Sequence, residues 1–272
     1  MMLTLDAVRV PGGVRLPLAR QGGPGAVPVL MLHGWGDSWR SFEPVLPALP
    51  GDVEAIALTQ RGHGDADRPV GSYGIDQLAD DAAAALEELG VRHALVVGHS
   101  LGAWVAQQLA ADRPELVGGL LLAGSIGPPA GNPALAQLSA EIARLGDPVD
   151  PAFARGFQLA TTASPIDPAW VEVLVAETLK LPVRVWRAID AGLRAFDLDA
   201  VQPRVAAPVL LVWGERDAFT GRGEQERHLR GLPHARLLTY EGTGHAVHRE
   251  RPERFAADVA ALAASLRAAG RL

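Results

Sequence analysis

The sequence contains no cysteine and only one lysine among its 272 residues. Without cysteine the chain has no disulfide, no thiolate metal ligand and no cysteine nucleophile. Because Lys180 is the only lysine, Schiff-base chemistry is restricted to a single position. Hydroxyl, imidazole and carboxylate groups are left as the candidate reactive side chains.

The sequence also lacks an excess of positive charge and a long apolar run. Its formal net charge is −6, whereas nucleic acids and anionic membranes are bound by clustered positive charge. The longest apolar stretch, around residues 116–126, is interrupted by glycines and is too short to span a bilayer. No signal peptide is evident. We therefore expect a cytoplasmic protein with a small-molecule substrate and no nucleic-acid or membrane partner, its oligomeric state left open.

Short apolar runs alternate with helical patterns along most of the chain, which is typical of a parallel sheet with helices on both faces. Six runs are predicted to be buried strands: 28–32, 53–58, 94–97, 117–123, 208–213 and 235–240. Helices are predicted over 75–89, 101–112 and 252–269. The first twenty residues predict an antiparallel hairpin around Pro11-Gly12-Gly13.

Residues 127–203 interrupt this rhythm, because they contain scattered prolines, helical patterns and no convincing strand. The sequence therefore predicts a core of residues 1–126 and 204–272 and a helical cap of residues 127–203 over one end of the sheet. Aromatic side chains predict an apolar substrate pocket, although at least half of them are expected only to pack the cap against the core. The candidates are Trp104, Phe153, Phe157, Trp170 and Trp186.

The pentapeptide Gly98-His99-Ser100-Leu101-Gly102 fits the G-x-S-x-G pattern and lies between a predicted strand and a predicted helix. In this context the serine occupies a sharp turn that exposes its hydroxyl at the sheet edge. Glycine on either side lets the strand and the helix approach closely. Ser100 is therefore the candidate nucleophile.

A serine nucleophile needs a histidine to accept its proton and a carboxylate to orient that histidine. With this type of turn the acid follows the serine and the histidine comes last. Asp217 follows the strand 208–213, with Glu215 as its competitor, and His245 follows the final strand and a Gly-Thr-Gly turn. His248 competes with His245 and is otherwise expected to be a solvated residue at a helix end.

Two backbone N–H groups should stabilise the oxyanion that forms during acyl transfer. Leu101, directly after the nucleophile, and Trp35, in the loop after strand 28–32, are the expected donors. Trp35 has an alternative role as a hydrophobic lid residue. The cluster His63-Gly64-Asp65-Ala66-Asp67 allows a metal-site interpretation, but a hydrogen-bonded loop is favoured, and no metal is expected.

Taken together, these motifs resemble the α/β-hydrolase superfamily, in its branch of esterases and lactonases with a His-Gly oxyanion loop. Five blocks in order carry the resemblance: His33-Gly34-Trp35-Gly36-Asp37-Ser38-Trp39, Gln60-Arg61-Gly62-His63-Gly64, Gly98-His99-Ser100-Leu101-Gly102, Gly214-Glu215-Arg216-Asp217, and Gly244-His245 through Glu250-Arg251-Pro252. The resemblance implies a mostly parallel, eight-stranded-type α/β-hydrolase sheet with a helical cap. It also implies a Ser100–Asp217–His245 triad and a Trp35–Leu101 oxyanion hole.

The expected activity is hydrolysis of an apolar ester or lactone through an acyl-serine intermediate, without a cofactor. Haloalkane dehalogenases and epoxide hydrolases of the superfamily carry aspartate at the position of Ser100, which argues against both activities. Hydrolysis of a C–C bond or an amide, and cofactor-free perhydrolysis, remain alternatives on the same triad. A non-catalytic ligand receptor is the alternative of another class.

Overall fold

Eight strands form one mixed sheet in the computed structural model, which describes residues 2–23 and 25–272. The strands are β1 (Thr4–Val10), β2 (Val14–Gln21), β3 (Val27–Leu32), β4 (Val53–Leu58), β5 (Ala94–His99), β6 (Val117–Ala123), β7 (Val209–Gly214) and β8 (Ala235–Tyr240). Their order is β1-β2-β4-β3-β5-β6-β7-β8. β2 pairs antiparallel with β1 and β4, and all other pairs are parallel. The predicted N-terminal hairpin and mostly parallel sheet are confirmed.

Ten α-helices connect and cover the strands in the described residues. They are α1 (Ile75–Glu88), α2 (Leu101–Asp112), α3 (Pro133–Arg144), α4 (Pro151–Leu159), α5 (Pro168–Leu179), α6 (Val183–Ala195), α7 (Leu198–Val201), α8 (Arg222–Gly231), α9 (Val247–Glu250) and α10 (Pro252–Ala268). Among these residues no helix combines the length and the hydrophobicity needed to cross a membrane.

The sheet separates two apolar cores, which explains why its strands are continuous apolar runs. One core joins the sheet to α1, α2 and the helices between β6 and β7. The other joins the opposite face to α10 and to the segment 39–49, which contains two short 3-10 turns. Every residue of the central strands β5 and β6 is buried. A strand covered on both faces has no solvent side, so it needs no alternating polar positions.

Helices α3 to α7 lie between β6 and β7, and residues 127–203 contain no strand. Three of these helices begin with proline in the first turn, preceded by a side chain that caps the helix. Asn132, Asp150 and Asp167 accept hydrogen bonds of 3.0, 2.8 and 2.9 Å from backbone N–H groups two or three residues later. The division into a core and a substrate-shaping cap stays a prediction.

Candidate active site

Ser100 lies at the tight turn between β5 and α2, with φ 52° and ψ −115°. It is the only residue other than glycine with positive φ in the part of the chain that the structure describes. The two flanking glycines make this turn possible. A Cβ atom on Gly98 would overlap the carbonyl of Gly102, and a Cβ atom on Gly102 would overlap the carbonyl of Leu32. The close packing of strand and helix therefore holds a strained serine at the carboxyl end of the sheet.

His245 and Asp217 form a buried pair on the loops after β8 and β7. His245 Nδ1 donates to Asp217 Oδ2 over 2.9 Å, and the side chains are 3% and 0% exposed. The backbone N–H groups of Phe219 (2.8 Å) and Thr220 (3.1 Å) donate to the other carboxylate oxygen, and the Thr220 hydroxyl (3.0 Å) donates to Oδ2. These donors fix the carboxylate, which in turn places the His245 proton on Nδ1. His245 Nε2 is then the basic nitrogen.

The competitors for these two roles lie elsewhere. Glu215 is exposed, and its carboxylate accepts a hydrogen bond from the N–H of Gly242 over 3.2 Å. His248 is completely buried, with Nε2 2.9 Å from the hydroxyl of Ser41. The expectation of a solvated His248 is therefore wrong, because α9 packs against the turn that follows β3. Burial lowers the pKa of His248 well below its ordinary value.

Two backbone N–H groups next to Ser100 are free to bind an oxyanion. In the described residues neither Trp35 N–H nor Leu101 N–H donates to a protein acceptor. The carbonyl of Gly34 accepts from His33 Nδ1 (2.8 Å) and from the N–H of Asp37 (3.3 Å). Because the Gly34–Trp35 peptide is planar, holding its carbonyl also fixes the opposite direction of Trp35 N–H. Leu101 N–H opens helix α2, where the helix dipole adds positive potential.

His33 can hold the Gly34 carbonyl in this way because its imidazole ring is neutral. Its Nε2 accepts a 3.0 Å hydrogen bond from the backbone N–H of Gln60, while Nδ1 donates to Gly34 O. Such a pattern requires a single ring proton, on Nδ1. Burial lowers the pKa of His33 to about 4, so the neutral ring is the form present near neutral pH.

Ser100, His245, Trp35 and Leu101 line one cavity of about 30 Å³. This is room for about two water molecules. Seven further apolar side chains contribute to its wall: Trp104, Ile126, Leu135, Leu138, Phe157, Leu193 and Phe219. A second cavity of about 550 Å³ shares Trp35, Leu135 and Leu193 with the first. The site therefore consists of a small inner chamber and a larger outer one.

The five aromatic candidates for the pocket have different positions. Trp104 and Phe157 are part of the inner wall, and Trp104 Nε1 donates to Ile126 O over 2.9 Å. Phe153 and Trp186 are not in that wall: they pack against each other with ring centroids 5.4 Å apart, and Trp186 stacks on Trp35 at 5.1 Å. Trp170 is half-buried on α5, away from both chambers.

Most of the remaining wall was missed by the sequence patterns. The aliphatic residues on α3 and α6 have the same spacing as ordinary core residues, so nothing in the sequence distinguishes them. Phe219 alone offered a signal, since it lies two residues after Asp217. Its ring stacks on His245 with centroids 4.7 Å apart.

The loop 63–67 does not assemble a metal site. Asp65 pairs with Lys180 Nζ at 3.0 Å, Asp67 accepts from the N–H of Arg15 at 2.8 Å, and His63 is completely buried. Across residues 2–23 and 25–272, no group of three or more candidate ligands could hold a metal ion. Hydrogen bonds within and around this loop account for its conformation.

Comparisons with known proteins identify the family of the chain. A family model described as "Alpha/beta hydrolase family" matches residues 29–258. The chain is 31% identical over 244 residues to the pimeloyl-[acyl-carrier protein] methyl ester esterase of Neisseria meningitidis, covering 84% of this chain and 90% of that protein. The esterase RhEst1 from Rhodococcus sp. ECU1013 superimposes with a TM-score of 0.83 at 25% identity, over 96% of this chain and 99% of the other.

A longer relative matches only in part. The dihydrolipoyllysine-residue acetyltransferase component of the acetoin cleaving system of Pseudomonas putida is 26% identical over 260 residues. That match covers 89% of this chain but 65% of the relative. The chain thus spans slightly less than two thirds of that protein's length.

Proposed function

Because the chain belongs to the alpha/beta hydrolase family, we propose that it is a serine hydrolase of carboxylic esters and lactones. The proposal is carried by one observation: a strained serine, a histidine–carboxylate pair and two free N–H groups meet at a single cavity. Similarity to the Neisseria meningitidis methyl ester esterase supports the same class of substrate.

In the proposed mechanism Ser100 Oγ attacks the ester carbonyl while His245 Nε2 accepts the hydroxyl proton. The tetrahedral intermediate collapses, the bond to the leaving oxygen breaks, and His245 returns the proton to the alcohol. Water then attacks the acyl-serine while His245 accepts a proton from the water. The second tetrahedral intermediate collapses, the bond to Ser100 Oγ breaks, His245 returns the proton to Oγ, and the carboxylic acid leaves. Asp217 holds the imidazole in the correct tautomer and stabilises the imidazolium.

The oxyanion of both tetrahedral intermediates is assigned to Trp35 N–H and Leu101 N–H. Loss of one such donor costs about 3–4 kcal/mol of transition-state stabilisation in related chemistry. The donors are backbone groups, so a substitution of the Trp35 side chain would leave the N–H in place.

The substrate proposed for this site has a short, uncharged acyl group. The inner chamber is apolar and small, whereas the outer chamber is large enough for the rest of a drug-sized molecule. Residues 127–203, which we propose to be the cap, supply five residues of the inner wall: Leu135, Leu138, Phe157, Thr161 and Leu193. The cap is thus the segment that sets the length of the acyl group.

Ser100→Ala tests the proposal directly. We expect this variant to lose at least 1,000-fold in kcat/KM on p-nitrophenyl acetate, measured as release of p-nitrophenol. Ser125→Ala is a matched control, because the Ser125 hydroxyl is also buried near the site but has no hydrogen-bond partner in the described residues. Its activity should stay within twofold of the parent. Ester turnover retained by Ser100→Ala would overturn the proposal.

A substrate panel separates the alternatives that share this triad. The proposal predicts that p-nitrophenyl esters or lactones are turned over faster than anilides or vinylogous diketones. It also predicts that ester or lactone turnover is faster than the perhydrolysis reaction, in which peroxide reacts with a carboxylic acid. Faster reaction with one of the last three, abolished by Ser100→Ala, would reassign the reaction to amide, C–C or perhydrolase chemistry.

A further inference from the structure

A buried ion pair connects the loop after β3 to the loop that carries His245. Arg249 Nη2 lies 2.5 Å from Asp37 Oδ2, and the two side chains are 1% and 3% exposed. Asp37 lines the inner chamber two residues after Trp35, and Arg249 follows His245 by four residues. A buried ion pair adds little net stability over apolar packing of the same volume. Because the pair joins the loop of Trp35 to the loop of His245, we infer that its role is to hold these two loops in position.

Gln158, on helix α4 of the proposed cap, completes this pair. Its amide nitrogen donates to Asp37 Oδ1 (3.0 Å) and to the Thr178 hydroxyl (2.7 Å), and its oxygen accepts from Arg249 Nη1 (2.7 Å). The single proton of the Thr178 hydroxyl has two acceptors within reach, Leu174 O at 2.9 Å and Gly36 O at 3.1 Å. All hydrogen-bonding atoms of the Gln158 side chain are used. Asp37, Arg249 and Gln158 are called the bridging network below.

The bridging network acts on the peptide that supplies the second oxyanion donor. Asp37 N–H and His33 Nδ1 hold the carbonyl of Gly34, and that carbonyl fixes the direction of Trp35 N–H. With its carboxylate anchored to Arg249 and Gln158, Asp37 has its backbone N–H held in place. A shift of Asp37 would therefore turn Trp35 N–H away from the oxyanion position.

The segment directly after Gln158 is bonded to the loop of His245. Ala246 N–H donates to Thr161 O over 2.8 Å. The Glu250 carboxylate accepts from the N–H groups of both Gly244 (2.7 Å) and Ala163 (3.1 Å). One stretch of the cap, residues 158–163, thus contacts both the oxyanion loop and the base loop.

We propose that Asp37, Arg249 and Gln158 are positioning residues that hold the Gly34–Trp35 peptide, and with it the Trp35 N–H of the oxyanion hole, in the orientation needed for catalysis. The inference rests on the proposed function, since it assigns a role to the same site. Helix α4 places Gln158 between Asp37 and Arg249, and Asp37 N–H in turn holds the Gly34–Trp35 peptide. Gln158 and Arg249 do not line the chamber that contains Ser100.

Gln158→Met tests the inference, because it keeps both charges of the ion pair and nearly the volume of the side chain. On p-nitrophenyl acetate we expect kcat to fall 10- to 100-fold with KM within threefold. Binding of a trifluoromethyl ketone, which forms a tetrahedral adduct with serine, should weaken in proportion to kcat/KM. Arg249→Met should have the same signature with a larger loss, and Arg249→Lys should recover part of it.

The matched control is a second buried arginine–aspartate pair in the described residues, between Arg61 and Asp81. Their side chains are 7% and 5% exposed, with nitrogen–oxygen distances of 2.5 and 2.7 Å, and neither lines a chamber of the site. Arg61→Met should lower the melting temperature at least as much as Gln158→Met, but leave kcat and ketone affinity within twofold.

Two failures are distinguishable. Activity that survives in Ser100→Ala overturns the proposed function itself. If Ser100→Ala is inactive while Gln158→Met and Arg249→Met keep kcat and ketone affinity within twofold, the bridging network has no positioning role. A positioning role is also excluded if Arg61→Met lowers kcat as much as Gln158→Met does.

Discussion

At the scale of single residues, the site depends on how completely the carboxylate of Asp217 is hydrogen-bonded. Four donors surround its carboxylate, and only one of them is His245. The other three hold the acceptor in place whether or not the histidine is present. A fixed, buried acceptor is what selects the tautomer with the proton on Nδ1, and it is the reason the histidine has a basic nitrogen on the other side.

Asp217→Asn should therefore lower kcat by about 1,000- to 10,000-fold on any ester that the parent hydrolyses. An asparagine keeps the shape of the side chain but can present an N–H to His245, which favours the wrong tautomer. Steady-state kinetics across pH 6–9 measures the loss. The control is Glu215→Gln on the same loop, which should stay within twofold. A loss below tenfold in Asp217→Asn would contradict this role.

The three residues of the proposed triad could be singled out from the sequence because each follows a recognisable strand within a few residues. The burial of His248 could not be predicted from the sequence, because it depends on Ser41 and Phe42, which lie more than 200 positions earlier in the chain. The roles of Gln158 and Arg249 were missed for the same reason. Their hydrogen bonds join residues 91 and 121 positions apart, and no local pattern encodes such a separation.

At the scale of elements, helix α3 gives the clearest view of how the proposed cap meets the core. Leu138 and Ile142 are four positions apart, and both are buried on the same face of the helix. Of these two, only Leu138 reaches the wall of the inner chamber. Leu135 on the same helix also lines the chamber, so α3 combines positions in the wall with a neighbour, Ile142, that only packs.

Leu138→Ala should raise the kcat/KM ratio of p-nitrophenyl octanoate to p-nitrophenyl acetate at least tenfold, because it enlarges the inner chamber. Ile142→Ala should leave that ratio unchanged and cost about 2–5 kcal/mol of unfolding free energy. Both variants are assayed with the two esters and by denaturant unfolding. An equal change of the ratio in both would mean that α3 does not set the acyl length.

Helix α4 carries a glycine that has no structural requirement. Gly156 lies inside the helix, is exposed, and a Cβ atom added to it would meet no neighbour within 4 Å. Gly156→Ala should raise the unfolding free energy by about 0.5–1 kcal/mol, because alanine loses less backbone entropy in a helix. Urea unfolding measures this change, and a lower denaturation midpoint would contradict it.

The strands and the first helices could be predicted closely, since continuous apolar runs identify buried parallel strands wherever they occur. The helices α3 to α7 could be predicted only as a helical segment. Capping side chains define where α3, α4, α5 and α7 start, but the position of the segment follows from contacts with Asp37, Arg249 and Glu250. Those contacts are tertiary, so the shape of the pocket was not accessible from the sequence.

At the scale of the whole molecule, five of the six buried histidines make the stability of the fold sensitive to acid. Burial lowers the pKa of His33 and His228 to about 4 and of His63 to about 3. It also lowers the pKa values of His99 and His248 well below the ordinary 6.5. The unfolded chain binds protons at these positions from pH 6.5 downward, whereas the folded chain does not. The stability that depends on these neutral histidines is therefore fully present above pH 6.5 and is lost progressively as the pH falls toward 4.

Removing one of these histidines should make the unfolding free energy fall less as the pH is lowered. His228 is suited to the test because its pKa of about 4 corresponds to about 3 kcal/mol of stability that disappears between pH 7 and 4. His228→Gln should show a smaller difference in unfolding free energy between pH 7 and pH 4.5 than the parent. His93→Gln, at an exposed position, should not. Identical pH slopes for the parent and His228→Gln would contradict the role assigned to His228.

The most direct test of the central claim is covalent labelling with a fluorophosphonate, followed by intact-mass measurement and peptide mapping. If Ser100 is the nucleophile activated by His245 and Asp217, the folded protein gains one label per chain, on the peptide that contains Ser100. Ser100→Ala should take up no label, and His245→Ala should react at least 100-fold more slowly. A folded chain that stays unlabelled, or that carries its label on another residue, would contradict the claim.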